Sequence, residues 1–235
     1  MNLNYDLIRE YLASHTVFHG SREGIAGDIR PSSRQHCDFG RGFYMGTNAM
    51  QIKGLVSDAA DPRVYQLELD LDPVPREKVV ILDGMDWLYT VLGFRSSDLQ
   101  LTGCRAIQLA VQRAAQADFV IGAIADDRMV RALDEFERGS LTDRALLACL
   151  ADVDYGIQIT AKTQLACGCI QIVEGRRLTA EEIAEARRFS VAKRAEGSDS
   201  IQRAQRKYRR EGMYVDELIA ALREGGTVLG QNENG

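Results

Sequence analysis

The sequence predicts an α+β fold, and three observations lead there. Short runs alternate apolar and polar residues as half-buried strands do, most cleanly in Val64-Tyr65-Gln66-Leu67-Glu68-Leu69-Asp70. Short amphipathic helices are mixed among the strands, with some strands sequential and others joined by long crossovers. After Gly175 the pattern changes to charged helices. Hydrophobic residues make up 45% of the 235 and aromatics 7%, enough for a normal core. The division that follows is a compact domain over residues 1–178 and a charged helical C-terminal extension over 179–235.

Residues 3–14 place Leu3, Leu7, Ile8, Tyr11 and Leu12 on one helical face. Thr16 to His19 reads as a first strand, ended by Gly20. Gly24, Gly27, Pro31, Ser32 and Ser33 make residues 22–38 a loop. The loop enters the stretch that organises the chain, Cys37-Asp38-Phe39-Gly40-Arg41-Gly42-Phe43-Tyr44-Met45-Gly46-Thr47. Gly40 and Gly42 suit a tight bend that another backbone or molecule approaches, since neither carries a Cβ. Phe43 and Tyr44 then open a strand over 43–46, one ring toward the core and the other over whatever the bend admits.

Thr47 and Asn48 can cap a helix at 49–57. Beyond the alternating strand at 64–70, Val79 to Leu82 forms another. Helices follow through Met85, Trp87, Leu88, Val91 and Leu92 and over about 104–116. Phe119 to Ala125 is the most buried strand by composition, and Asp126 ends it and caps a helix at 127–138. Thr142 starts a helix to Leu150, Tyr155 to Thr160 alternates as a strand, and Cys169 to Val173 is the last strand. Thr179 to Glu182 has the form of a capping box. Gly197, Ser198 and Ser200 should interrupt the helix it opens. An Arg/Lys-rich helix to Glu211 and a short one from Val215 to Leu222 follow, and the chain frays from Gly225.

Charge and cysteine content narrow the function. Arg176 to Glu211 holds eleven basic and six acidic residues, a balance of +5 within a total of −5, so the remainder carries −10. That excludes a uniformly basic nucleic-acid binder and leaves a local basic surface. The five cysteines include no CxxC pair, and Cys167-Gly168-Cys169 with His15, His19 and His36 does not complete a zinc knuckle. The thiols read as reduced, and no metal is expected. No apolar run approaches the roughly 18 residues of a membrane span, and the N-terminus lacks the regions of a signal peptide. A cytoplasmic protein without membrane contact is expected, with export lacking a cleaved signal left open.

Val17-Phe18-His19-Gly20-Ser21 ends a strand in a histidine, a glycine and a hydroxyl, and Phe39-Gly40-Arg41-Gly42-Phe43-Tyr44 follows about twenty residues later. Singly, these residues read as core or turn. Together they resemble the NAD-binding half of the ADP-ribosyltransferase superfamily, in the His-Tyr-Glu branch of poly(ADP-ribose) polymerases and diphtheria toxin. Asp118-Phe119-Val120-Ile121-Gly122, Ala125-Asp126-Asp127-Arg128, Gln158 and Lys162-Thr163 extend the likeness over residues 16–175. They are similar to a narrower bacterial ADP-ribosyltransferase-like family catalogued as a domain of unknown function. The resemblance implies a split mixed β-sheet core with flanking helices.

It also implies NAD as substrate, with no metal. His19 would bond a ribose hydroxyl, Gly20 would leave its backbone free to grip the nicotinamide amide, Tyr44 would stack on its ring, and Ser21 would belong to the same NAD-binding set. Gly42, Phe43 and Thr47 would complete the NAD cradle, and Arg41 would meet a phosphate or lie on the surface. The catalytic trio would be His19, Tyr44 and Gln158. Gln158 stands where the better-known enzymes carry glutamate. An amide accepts a hydrogen bond from the 2′-hydroxyl, but it has no charge for the oxocarbenium ion and cannot act as a base. Asp152, Asp154 and Tyr155 would contact the acceptor; read plainly, they and Gln158 are a polar turn and a strand residue. The function implied is mono-ADP-ribosylation of a macromolecule, RNA, DNA or protein, by a toxin of toxin–antitoxin or phage-defence type. The basic tail would engage an RNA or DNA backbone or be covered by an antitoxin or chaperone; read plainly, it is a solvated charged helix pair packed on the domain. A nucleotide-binding module and an NAD glycohydrolase remain the alternatives, and polymer synthesis is not expected without the glutamate.

Overall fold

The structure, a computed structural model, describes residues 4–124, 127–151 and 156–223. Strands β1 (Val17–Ser21), β2 (Phe43–Gly46), β3 (Arg63–Leu69), β4 (Val79–Leu82), β5 (Phe119–Ala123), β6 (Ile157–Ala161) and β7 (Ile170–Arg177) form one sheet in the order β4-β5-β6-β2-β1-β3-β7. Only β4 and β5 pair in parallel; every other neighbouring pair is antiparallel. The mixed α+β architecture expected of the sequence is the one observed.

The sheet has a seam. β1 pairs with β3 over five residues, and β2 with β6 over four, yet β1 and β2 share the single register pair Phe18↔Gly46. Strand alternation sends Val17, Phe43, Met45, Phe119, Ile121 and Ile159 to one face, where they pack with Ile8 and Leu12 of α1 (Tyr5–Ser14) and Ala166 of α8 (Gln164–Gly168). Phe18 and Val64 point the opposite way, onto Ile52 and Val56 of α2 (Ala49–Val56). Val80, Leu82 and Val120 share that second face with the largest cluster. Trp87, Leu88 and Leu92 of α3 (Gly84–Arg95), Leu101 of α4 (Leu99–Thr102) and Ile107 of α5 (Arg105–Ala115) build it. Met129 and Phe136 of α6 (Asp127–Glu137) and Leu146 of α7 (Asp143–Ala151) complete it.

Several local expectations are corrected. Gly20 does not end β1, which runs on to Ser21; a Cβ on Gly20 would lie 3.0 Å from the Ile52 carbonyl, so its smallness admits α2. Asn48, not Thr47, caps α2, its side chain accepting from Gln51 N–H. β7 continues to Arg177 because β3 offers partners as far as Arg63. The tail helix is not interrupted. α9 (Ala180–Tyr208) is continuous through Gly197, Ser198 and Ser200. Ser198 donates to the Arg194 carbonyl at 3.2 Å and accepts from Arg131 at 2.8 Å, and Ser200, Ile201 and Ala204 are buried. Packing on α6 and α7 outweighs the roughly 1 kcal/mol that glycine costs inside a helix. The Thr179–Glu182 capping box forms as expected. Last, α10 (Val215–Arg223) inserts Val215, Leu218, Ile219 and Leu222 into the largest cluster. None of the five cysteines is in a disulfide.

Candidate functional site

The seam dictates the site. Below the Phe18↔Gly46 pair, β1 and β2 part, and a side chain takes the place of the missing ladder bond. His19 Nδ1 lies 2.7 Å from the main-chain carbonyl of Tyr44. A carbonyl only accepts, so Nδ1 carries the proton. Burial lowers the His19 pKa, with the Tyr44 bond opposing, so the ring is neutral at pH 7 and its Nε2 has a free lone pair. The imidazole stacks on Phe43 with centroids 4.2 Å apart.

Tyr44 alternates to the other face. Its hydroxyl turns back into the glycine bend, donating to the Gly40 carbonyl at 2.5 Å and accepting from Phe39 N–H at 3.0 Å. Burial raises its pKa, so it stays a phenol. Both rings of the Phe43-Tyr44 pair are therefore taken into packing, and Tyr44 presents a half-buried ring rather than a free hydroxyl. Gly40 has φ +73°, and a Cβ on it would lie 2.5 Å from the Phe94 ring. Gly42 is needed for a different reason: its Cβ would stand 2.3 Å from Thr160 Cγ2 on β6.

Gln158 pairs with Gly46 on β2 and Gly122 on β5, two glycines that leave room around its side chain. Its Nε2 donates to Asp38 Oδ2 at 3.3 Å, while Arg95 Nη1 holds Asp38 Oδ1 at 2.5 Å. Asp38 is 8% exposed, and burial raises its pKa while Arg95 and Gln158 pull it down. With Arg95 keeping the carboxylate an acceptor, Gln158 must turn its NH2 to it, which leaves Oε1 to accept from elsewhere. Sequence reasoning assigned Asp38 no role. The available signal was an acid directly before the glycine bend.

The remaining residues separate. His19, Tyr44 and Gln158 sit on three adjacent strands, β1, β2 and β6, with the imidazole on the Phe43 side and the phenol and amide on the other. Ser21 Oγ accepts from Gly24 N–H at 2.9 Å and shapes the loop. Thr47 Oγ1 accepts from Ile157 N–H at 3.0 Å and meets Tyr11 Oη at 3.3 Å, which fastens the far end of β2. Arg41 is exposed, and its Nε donates to the Pro31 carbonyl at 2.9 Å, away from His19. Asp126, Asp152, Asp154 and Tyr155 lie outside the described residues. No group of three or more metal-ligating side chains occurs among the described residues. No helix among them is long and apolar enough to cross a membrane.

A family model described as "Protein of unknown function (DUF3990)" matches residues 15–172. The chain belongs to that family. The DUF3990 match runs from β1 into the first residues of β7 and so includes the seam, the bend and Gln158, but its description states no activity. No curated protein and no solved structure matches the chain.

Proposed function

We propose that this DUF3990 protein is an NAD-dependent mono-ADP-ribosyltransferase, acting as a bacterial toxin on a macromolecular acceptor. The observation that carries the reading is the seam: a neutral imidazole is pinned by the Tyr44 carbonyl with its Nε2 lone pair unused, next to the strands of Tyr44 and Gln158. In this reading the nicotinamide riboside sits at the gap where β1 and β2 part, so that Nε2 accepts a ribose hydroxyl from one face of the sheet while the half-buried Tyr44 ring and Gln158 Oε1 meet nicotinamide and the 2′-hydroxyl from the other. The bond from C1′ to the nicotinamide nitrogen breaks with its electron pair leaving on the neutral ring. A lone pair of the acceptor then closes on C1′, and the acceptor gives up its proton. Binding geometry supplies most of the acceleration, since Gln158 brings no charge to the oxocarbenium ion. Asp38 contributes a fixed negative charge through Gln158.

The engagement of Gln158 by Asp38 and of the Tyr44 hydroxyl by the bend favours, as a second reading, a module that binds NAD without turning it over. One assay separates the two. Purified protein is incubated with adenylate-labelled NAD and bacterial RNA, DNA and protein. Nicotinamide release with label on a macromolecule is expected, both reduced about a hundredfold or more in His19→Ala. Binding without release supports the module, and release without a labelled macromolecule supports hydrolysis.

A further inference from the structure

We propose that a basic cleft beside the glycine bend binds the phosphates of a single-stranded nucleic acid. The cleft, of about 660 Å3, lies between the 30–41 loop, the last turn of α3 and the segment after β6. Arg30, His36, Arg41 and Lys162 line it, and no Asp or Glu does. Two of the cations, Arg41 and Lys162, and the His36 ring are fixed by main-chain carbonyls, which orient a side chain without neutralising charge. Arg41 Nε donates to Pro31 at 2.9 Å, His36 Nδ1 to Phe94 at 3.2 Å, and Lys162 Nζ to Phe39. Arg30 has only Asp28 at 4.0 Å, and both side chains are largely exposed.

Lys162 is the informative group. Its ammonium is half-buried, stands 5.2 Å from the centre of the Phe94 ring, and has two N–H donors beyond the one given to Phe39. Burial pushes its pKa down to about 8, the cost of holding a cation there without an acid. An anion entering the cleft removes that cost. Arg30 and Arg41 at the two ends of the 30–41 loop and Lys162 after β6 exceed what one phosphate engages and fit a chain of them. The Phe94 ring on the wall gives a base an apolar surface, the combination by which single strands are held without sequence preference. A half-buried aromatic wall offers stacking to an unpaired base, which a duplex keeps within its own stack. Nothing here depends on NAD, so the proposal stands or falls apart from the transferase reading.

The test is fluorescence anisotropy of the full chain with a labelled oligouridylate of about 12 nucleotides, without NAD, from about 50 to 200 mM salt. The protein should bind at low salt. Arg41→Ala and Lys162→Gln should each weaken binding about fivefold or more and flatten the dependence of log affinity on log salt by about 0.7 for each phosphate interaction removed. Arg210→Ala, an exposed arginine of the basic tail, should change little. Arg41 is itself exposed, so its variant reports on binding even if the Lys162 variant proves unstable. The proposal is overturned by absence of binding at low salt or by an equal loss in Arg210→Ala. Competition by uridine monophosphate at equal phosphate concentration would also overturn it.

Discussion

Asp38 carries a charge into a place where burial penalises it, and two residues far along the chain make that tolerable. Arg95 meets one oxygen and the Gln158 amide the other. Asp38→Asn leaves the Arg95 guanidinium, a third exposed, without its counterion. The expected cost is about 1–2 kcal/mol, seen as a lower urea midpoint at unchanged m-value. Under the transferase reading the same change frees the Gln158 amide to rotate, so nicotinamide release should fall in kcat more than in KM. The carboxylate could not be singled out from the sequence, because its partners lie 57 and 120 residues away and the contact exists only once β6 lies beside β2. His19, Tyr44 and Gln158 were singled out through the resemblance of their motifs, since each alone reads as a core or strand residue. That imidazole and phenol would occupy opposite faces of the sheet, on neighbouring strands, was visible only in the folded chain.

At the scale of the element, glycine positions decide how closely strands and loops approach. Gly42 lets the start of β2 lie on β6, and Gly42→Ala would force a methyl to 2.3 Å from Thr160 Cγ2 and 2.9 Å from the Ala161 carbonyl. Overpacking of this kind costs about 1–3 kcal/mol. Gly168→Ala at the end of α8 has nothing within 4 Å and should be neutral or stabilise by up to about 1 kcal/mol. Denaturant melts of the two variants should therefore move in different directions, and equal loss in both would refute the packing account. Strands at 64–70 and 79–82 were legible because a two-residue period is a local signal, as was the Thr179 capping box. The continuity of α9 was not. Propensity at Gly197 argues for a break, and the burial that overrides it comes from α6 and α7, distant in sequence.

Across the whole molecule, Glu182 ties three elements together. It accepts from Lys53 of α2 at 2.8 Å, from Arg176 of β7 at 2.7 and 2.8 Å, and from its own cap at Thr179 N–H at 3.0 Å. The Arg176 bonds, followed by those from Lys53 and Thr179, hold its carboxyl far below the ordinary value of 4.5. A depressed folded pKa gives stability that is complete above the unfolded value and lost as pH falls through the folded one. Glu182→Gln should lower stability by about 1 kcal/mol at pH 7, or about 2–4 °C in Tm. The gap between variant and parent should narrow steadily as pH drops below 4.5. A gap independent of pH from 7 to 3 would mean that the cluster contributes shape and not charge.

α9 also has a mechanical consequence. Its first half rests on α2, behind β1 and β3, through Ala186 and the Arg187 bond to the Ser57 carbonyl, and its second half is sunk among α6 and α7 through Ile201 and Ala204. At 29 residues it is a rod of about 43 Å, fastened on both sides of the line where the sheet is thinnest. The two halves of the sheet therefore cannot spread apart at β1 and β2 without flexing this brace or prying one of its ends loose.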